Sequence, residues 1–161
     1  MRVGWKSKIS PVRAELAKSL KEFKAKGSIL VVDDNDDTIE VTRRAIEKFT
    51  GFQVLTATNG KDALAIMDEQ VVDVVVLDFM MPDMNGSECY ESIRQKDVHT
   101  PVIFLTGYPN AAKKREQLAL GAFDYLSKPV RARDLIFLIN DAYRTVQKIR
   151  KIIQDKPKKG A

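Results

Sequence analysis

An unbroken apolar run that ends in an acid constrains the fold of this chain most. Val74–Leu77 holds four consecutive aliphatic residues, three of them β-branched, with no polar alternation. Such a run is typical of a parallel strand covered by helices on both faces. Asp78 follows directly, and Pro82 and the pair Asn85–Gly86 predict a turn soon after it. We therefore predict a central strand with a carboxylate at its C-terminal end, where open α/β sheets keep their ligand sites.

Four further apolar runs alternate with helical patterns along the chain. The runs lie at residues 29–32, 52–56, 101–106 and 123–128, and the helical patterns at 38–50, 59–67, around 90–93, at 111–120 and from 130 onward. Asn59 is expected to cap the second helix, and the first helix places Ile39, Ile46 and Phe49 on one side. Five strands alternating with five helices predict right-handed crossovers and a doubly wound parallel sheet.

Charge is distributed unevenly. Residues 1–27 and residues 143–161 each carry a net charge of +6, whereas residues 28–142 carry −7. The basic ends lack interleaved aromatic side chains and a recognition helix, so we do not predict nucleic-acid binding. No apolar run approaches the roughly 20 residues that cross a bilayer, so membrane insertion is not expected. A single cysteine, Cys89, excludes an internal disulfide and favours a cytoplasmic setting.

Polar side chains stand at the ends of four predicted strands. They are Asp33, Asp34, Asp78, Thr106 and Lys128. Because the C-terminal ends of parallel strands share one edge of a sheet, we expect these residues to converge. Three carboxylates together repel one another unless a cation joins them, and Mg²⁺ or Mn²⁺ prefers oxygen ligands. With such an ion, Asp78 would be a nucleophile toward phosphorus, and Lys128 and Thr106 would stabilise phosphoryl oxygens.

These residues resemble the response-regulator receiver domains of two-component signalling. The resemblance covers about residues 28–147 and rests on the stretches 29–34, 76–86, 104–107 and 121–129. It implies a flavodoxin-like sheet in the order 2-1-3-4-5 with five helices, here with helical N- and C-terminal extensions. It also implies that Asp78 accepts a phosphoryl group from a sensor histidine kinase or a histidine phosphotransfer protein. Turnover of a separate substrate is not expected.

The resemblance implies a role for each site residue. Asp34, Asp78 and the backbone carbonyl of Met80 would bind the metal directly, and Asp33 would act through a bound water. Thr106 and Lys128 would hold phosphoryl oxygens.

A switch region is implied as well. The ring of Tyr125 would follow the position of Thr106, and residues 106–125 would change when Asp78 is phosphorylated. The bond between Lys128 and Pro129 would be cis. Asn35 stands where many members of the family have a further acid, and we expect it to tune the site only.

Two large residues flank the predicted site. Met80 lies two positions after Asp78, and Tyr108 lies two positions after Thr106. We hypothesise that both shield the acyl phosphate from water and lengthen its lifetime.

The last helix carries an apolar stripe with heptad spacing. Its members are Leu135, Ile139, Ala142, Val146, Ile149 and Ile153. The first half is expected to pack on the sheet, whereas the part beyond Val146 favours pairing with a second copy or with the amphipathic N-terminal segment. We therefore divide the chain into a basic extension at 1–27, a receiver domain at 28–147 and a basic helical continuation at 148–161.

Two other functions stay open. An aspartate-nucleophile phosphohydrolase also uses Mg²⁺ and a strand-end Asp, but it needs a second acid where this chain has Met80. A receiver-like interaction module that is never phosphorylated would not need the full set of acids, Thr106 and Lys128. A nucleotide-binding module is disfavoured, because no glycine-rich phosphate loop follows the first strand.

Overall fold

The computed structural model of the chain describes residues 26–107, 115–116 and 118–156. They form a five-stranded parallel sheet in the predicted order, β2-β1-β3-β4-β5. The strands are β1 (Ser28–Val32), β2 (Gln53–Ala57), β3 (Val74–Asp78), β4 (Val102–Thr106) and β5 (Asp124–Ser127). The helices are α1 (Asp36–Phe49), α2 (Gly60–Glu69), α3 (Gly86–Lys96) and α4 (Ala132–Gln154).

The described residues contain four complete helices rather than the five predicted. The fifth, expected at 111–120, falls half outside the described ranges, which leave out 111–114 and 117. Its last turn is seen where the Leu120 N–H donates to the carbonyl of Glu116 at 3.0 Å, and Gly121 follows with a φ of 99°. The helix predicted within the N-terminal extension and Tyr108 also lie outside the described residues.

Strand β3 lies at the centre of the sheet and is buried on both faces. Val75 and Leu77 pack into the core beneath α2 and α3, whereas Val74 and Val76 pack into the core beneath α1 and α4. All five residues of β3 are buried, because successive side chains of a strand point to opposite faces and both faces are covered here. The unbroken apolar run is thereby explained.

Each of the first three helices begins with an asparagine cap. The side chains of Asn35, Asn59 and Asn85 accept hydrogen bonds from the backbone N–H groups three residues ahead, at 2.9, 2.8 and 3.0 Å. These bonds satisfy donors that an open helix end leaves unpaired. The loops that leave β1, β2 and β3 are therefore held close to the C-terminal edge of the sheet.

The side of α1 that carries Ile39, Ile46 and Phe49 is buried except at its end. Ile39 and Ile46 are buried, but Phe49 is 59% exposed. Phe49 is the last residue of α1 and lies beyond the part of the helix that contacts the sheet. Among the described residues, no helix is long and apolar enough to span a membrane.

Candidate functional site

The predicted site residues meet at the C-terminal edge of the sheet. Asp33 and Asp34 follow β1, Asp78 ends β3, Thr106 ends β4, and Lys128 follows β5. These four strands are adjacent in the sheet, so residues up to 95 positions apart in sequence come into contact. The sheet order alone accounts for this convergence.

Three carboxylates form a cluster at this edge. One oxygen from each of Asp33, Asp34 and Asp78 lies within 4.8 Å of the others. Asp33 and Asp78 are buried, whereas Asp34 is exposed. Buried like charges at this spacing are unfavourable without a cation, and hard oxygen ligands that are partly open to solvent suit Mg²⁺, which keeps several waters when bound. The donor set therefore fits the predicted ion.

Lys128 lies between the two buried acids. Its Nζ atom is 2.7 Å from Asp33 Oδ2 and 3.5 Å from Asp78 Oδ1. Burial raises the pKa of Asp78 above its ordinary value and the charge of Asp33 raises it further, while the Lys128 ammonium acts in the opposite direction. The direct pairing of Lys128 with Asp33 is a contact that the sequence did not indicate.

The loops after β1 and β3 keep their backbones close to the acids. The Met80 N–H donates to Asp78 Oδ1 at 3.3 Å, and the Asn35 N–H donates to Asp33 Oδ1 at 2.9 Å. Gly86 packs directly against this loop, since a Cβ there would lie 2.7 Å from Phe79 Cα and 2.8 Å from the Asp78 carbonyl oxygen. Only glycine allows α3 to begin so near the strand that carries Asp78.

Thr106 and Tyr125 occupy neighbouring strands. Thr106 is fully buried, and its carbonyl accepts the backbone N–H of Lys128 at 2.6 Å. The ring of Tyr125 is buried too, 6.2 Å from the ring of Phe104 and 6.4 Å from that of Phe79. Its hydroxyl has no hydrogen-bond partner among the described residues. The bond between Lys128 and Pro129 is cis, as the family resemblance implied.

Sequence reasoning did not foresee the aromatic cluster around Tyr125. Phe79, Tyr90, Phe104 and Tyr125 form a chain of ring contacts with centroids 5.6 to 6.4 Å apart. Aromatic residues directly after Asp78 and two positions before Thr106 were the available signal. The four rings belong to the core on the face of the sheet that α2 and α3 cover.

The apolar stripe of the last helix divides in two. Leu135, Ile139, Ala142 and Val146 are buried against the sheet, which confirms the part of the stripe expected to be core. Ile149 is half-buried, and Ile153 is 46% exposed. The helix therefore continues past the point where the domain covers its apolar face.

Comparisons with known proteins agree with this geometry. The family model of the response regulator receiver domain matches residues 29–140. The response regulator SaeR of Staphylococcus aureus (strain USA300) is 32% identical over 120 residues, which make up 74% of this chain and 52% of SaeR. The chain thus spans about half the length of the curated relatives it matches.

Solved structures give the same result. A response regulator receiver domain protein from Clostridium thermocellum is 34% identical with a TM-score of 0.72, and the match covers 76% of this chain and 98% of that one. The receiver domain of Francisella response regulator 1452 is 32% identical with a TM-score of 0.69, covering 74% and 98%. Together with the family match over more than half of its length, the sheet order and the fold likeness show that this chain belongs to the response regulator receiver domain family.

Proposed function

We propose that this receiver domain is a phosphoacceptor whose Asp78 takes a phosphoryl group from a phosphohistidine of a histidine kinase or a histidine phosphotransfer protein. The observation that best supports this proposal is the carboxylate cluster, with the Lys128 ammonium 3.5 Å from Asp78 Oδ1. In the transfer, a carboxylate oxygen of Asp78 forms a bond to phosphorus while the donor's phosphorus–nitrogen bond breaks. The imidazole leaves with the electron pair of that bond.

The residues around Asp78 have separate roles in this proposal. Asp34, Asp78 and the Met80 carbonyl would bind Mg²⁺ or Mn²⁺, and Asp33 would act through a bound water. When bound, the ion supplies positive charge that offsets the repulsion between carboxylates and phosphoryl oxygens. Lys128 is close enough to reach a phosphoryl oxygen, and Thr106 would donate a hydrogen bond to another.

The side chain of Met80 regulates the lifetime of the acyl phosphate. It is 52% exposed at the start of the loop after β3, where it can cover the site from solvent. Tyr108, which lies outside the described residues, is proposed to have the same effect. Met80→Ala and Tyr108→Ala should therefore lose the phosphoryl group faster than the wild type, and equal or slower loss would contradict this role.

The segment 106–125 is the proposed switch. Thr106 would move toward the phosphoryl group, and the ring of Tyr125 would respond to that move. Support comes from the continuous ring contacts that join Tyr125 to Phe79, the residue directly after Asp78. Phosphorylation changes charge only locally, so an element with two alternative conformations is needed to convey that change to a partner surface.

The output surface is proposed to include the last helix. Ile149 and Ile153 extend the buried stripe beyond the body of the domain, so they would bind a second copy of the chain. We keep the division into an extension at 1–27, a receiver at 28–147 and a continuation at 148–161. The exchange is proposed to take place in the cytoplasm. Neither nucleic acid nor a bilayer is a proposed partner.

The phosphohydrolase alternative is not adopted. Hydrolysis by an aspartate nucleophile needs a general acid or base two residues further on, and that position is Met80. The thioether of Met80 can neither donate nor accept a proton in that role. Rapid turnover of small phosphate esters by the purified chain would restore this alternative.

Labelling by a small phosphodonor tests the proposal. Incubation with acetyl phosphate and Mg²⁺ should add one acid-labile phosphoryl group, and chelation of the metal should prevent it. Asp78→Asn should abolish labelling. Asp83→Asn is the matched control, because Asp83 is an exposed acid of the same loop. Full labelling of the Asp78 variant would refute the proposal.

A further inference from the structure

A second buried acid lies at the opposite end of the strand that carries Asp78. Asp73 precedes β3 at the N-terminal edge of the sheet and is 6% exposed. It is far from the phosphorylation site along the strand, and the proposed chemistry does not use it. Burying a carboxylate is costly unless charges and hydrogen bonds compensate it, so its partners are informative.

Asp73 receives bonds from both ends of the domain. Its Oδ2 atom accepts the backbone N–H of Ser28 at 2.8 Å. Its Oδ1 atom accepts Gln147 Nε2 at 3.2 Å and forms an ion pair with Arg150. Arg150 also donates to the carbonyl of Val72 at 3.2 Å. The last helix is therefore tied to the base of β3 by two consecutive turns.

The start of the described chain joins the same cluster. Tyr143 donates its hydroxyl proton to the carbonyl of Lys26, and its ring meets that of Phe52 edge-on at 4.9 Å. A Cβ at Gly27 would lie 2.6 Å from Tyr143 Cε2 and 2.7 Å from Asp73 Oδ2. Glycine is thus required where the N-terminal extension enters the domain.

The contacts with Asp73 coincide with the end of the core. Val146 is the last buried residue of α4, yet the helix continues to Gln154. The exposed end of a helix frays readily, because its last carbonyl groups lack intrahelical partners, so contacts that hold it are informative. Lys148 and Lys151 are three positions apart and repel each other. Gln147 and Arg150, which belong to this stretch, are the residues bound to Asp73.

We propose that Asp73 is a positioning residue that holds residues 147–154 as a rigid helical arm, and that the arm presents Ile149 and Ile153 to a second copy of the chain. The anchoring half stands on the contacts of Asp73 alone. The dimer half rests on the proposed function, because it names the residue that controls the partner surface suggested there.

A second copy fits the arm because of where the arm's charges lie. At 100° per residue, the exposed Lys148 and Lys151 lie on the face opposite Ile149 and Ile153. Two arms can therefore pair without bringing these charges together. Residues 143–161 of a second copy carry the same net charge of +6 as the extension at 1–27, so it is the outward position of Lys148 and Lys151 that permits pairing with a second copy.

Limited proteolysis tests the anchor. Trypsin cuts after Lys148, Arg150 and Lys151 only when the arm opens, so cleavage reports the open population. Asp73→Asn and the milder Arg150→Lys should each speed cleavage at these sites about tenfold or more. Asp141→Asn is the matched control, since it removes an exposed pair with Arg144 on the same helix. It should leave the cleavage rate unchanged.

The outcomes separate the anchor, the dimer and the phosphorylation. If trypsin cleaves Arg150→Lys and Asp73→Asn as slowly as the wild type, the claim that Asp73 anchors the arm is wrong. Light scattering with and without acetyl phosphate and Mg²⁺ should show a wild-type dimer that both Asp73→Asn and Ile153→Lys lose. A wild type that stays monomeric under both conditions overturns the dimer half. Asp73→Asn should still be labelled on Asp78. A wild type that acetyl phosphate and Mg²⁺ do not label would refute the proposed function and leave the anchor unaffected.

Discussion

The hydroxyl of Tyr125 offers a sharp test of how the switch region is packed. The ring is 3% exposed, and its oxygen has no partner among the described residues. A buried polar group without a hydrogen bond costs about 1–3 kcal/mol. Tyr125→Phe removes that cost and keeps the ring contacts with Phe79 and Phe104. We expect the free energy of unfolding to rise by about 1 kcal/mol, because the small gap left by the oxygen offsets part of the gain.

Tyr90 is the matched control for this substitution. Its ring belongs to the same aromatic cluster, but its hydroxyl donates to the Leu120 carbonyl at 3.0 Å and accepts from Arg94 Nε at 3.0 Å. Tyr90→Phe leaves both partners without that bond and should lower the free energy of unfolding by about 1–2 kcal/mol. The same chemical change thus has opposite signs at the two positions.

Urea unfolding of the two variants and the wild type measures this difference. For a chain of this size, 1 kcal/mol corresponds to roughly 2–4 °C in Tm, so thermal unfolding gives an independent value. If Tyr125→Phe were as destabilised as Tyr90→Phe, the hydroxyl of Tyr125 would have to be hydrogen-bonded. The inward packing described here would then be wrong.

Three further substitutions probe the site and its supports. Gly86→Ala should destabilise the protein by about 1–3 kcal/mol in urea unfolding, because the new Cβ meets backbone atoms at 2.7 and 2.8 Å; Gly107→Ala, whose Cβ would have no neighbour within 4 Å, should not. Lys128→Gln should slow labelling by acetyl phosphate roughly 100-fold, as removal of a positioned electrostatic donor does elsewhere, and an unchanged rate would exclude a role for the ammonium. Burial raises the pKa of the Cys89 thiol from 9.0 to about 11, so the stability it contributes is fully present below pH 9 and is lost as the pH rises toward 11. Urea unfolding of the wild type should therefore weaken more over that pH range than unfolding of Cys89→Ala, and parallel curves would contradict the shift.

Much of this structure follows from local sequence patterns. The unbroken run before Asp78 predicted a buried parallel strand, and the position of polar residues after apolar runs predicted the convergence of Asp33, Asp34, Asp78, Thr106 and Lys128. Both predictions depend on short-range periodicity and on the fact that the C-terminal ends of parallel strands lie at the same edge of the sheet. Neither requires knowledge of long-range side-chain contacts.

The features that were missed are long-range ones. Asp73 pairs with Arg150 across 77 positions, and no local pattern marks either residue as a partner of the other. That the Tyr125 hydroxyl has no hydrogen-bond partner among the described residues depends on what surrounds it in space, which the alternation of residues in β5 does not reveal. Phe49 shares a helical side with Ile39 and Ile46 as predicted, but it is the last residue of α1 and is exposed, which periodicity does not reveal.

The central claim is that Asp78 carries the phosphoryl group. Borohydride reduces an acyl phosphate to an alcohol and releases phosphate, which converts a phosphorylated aspartate into homoserine. After treatment with acetyl phosphate and Mg²⁺, followed by borohydride, peptide mass spectrometry should find homoserine at position 78. Homoserine at Asp33, Asp34 or Asp83 instead, or no homoserine in a sample that carries label, would contradict the assignment.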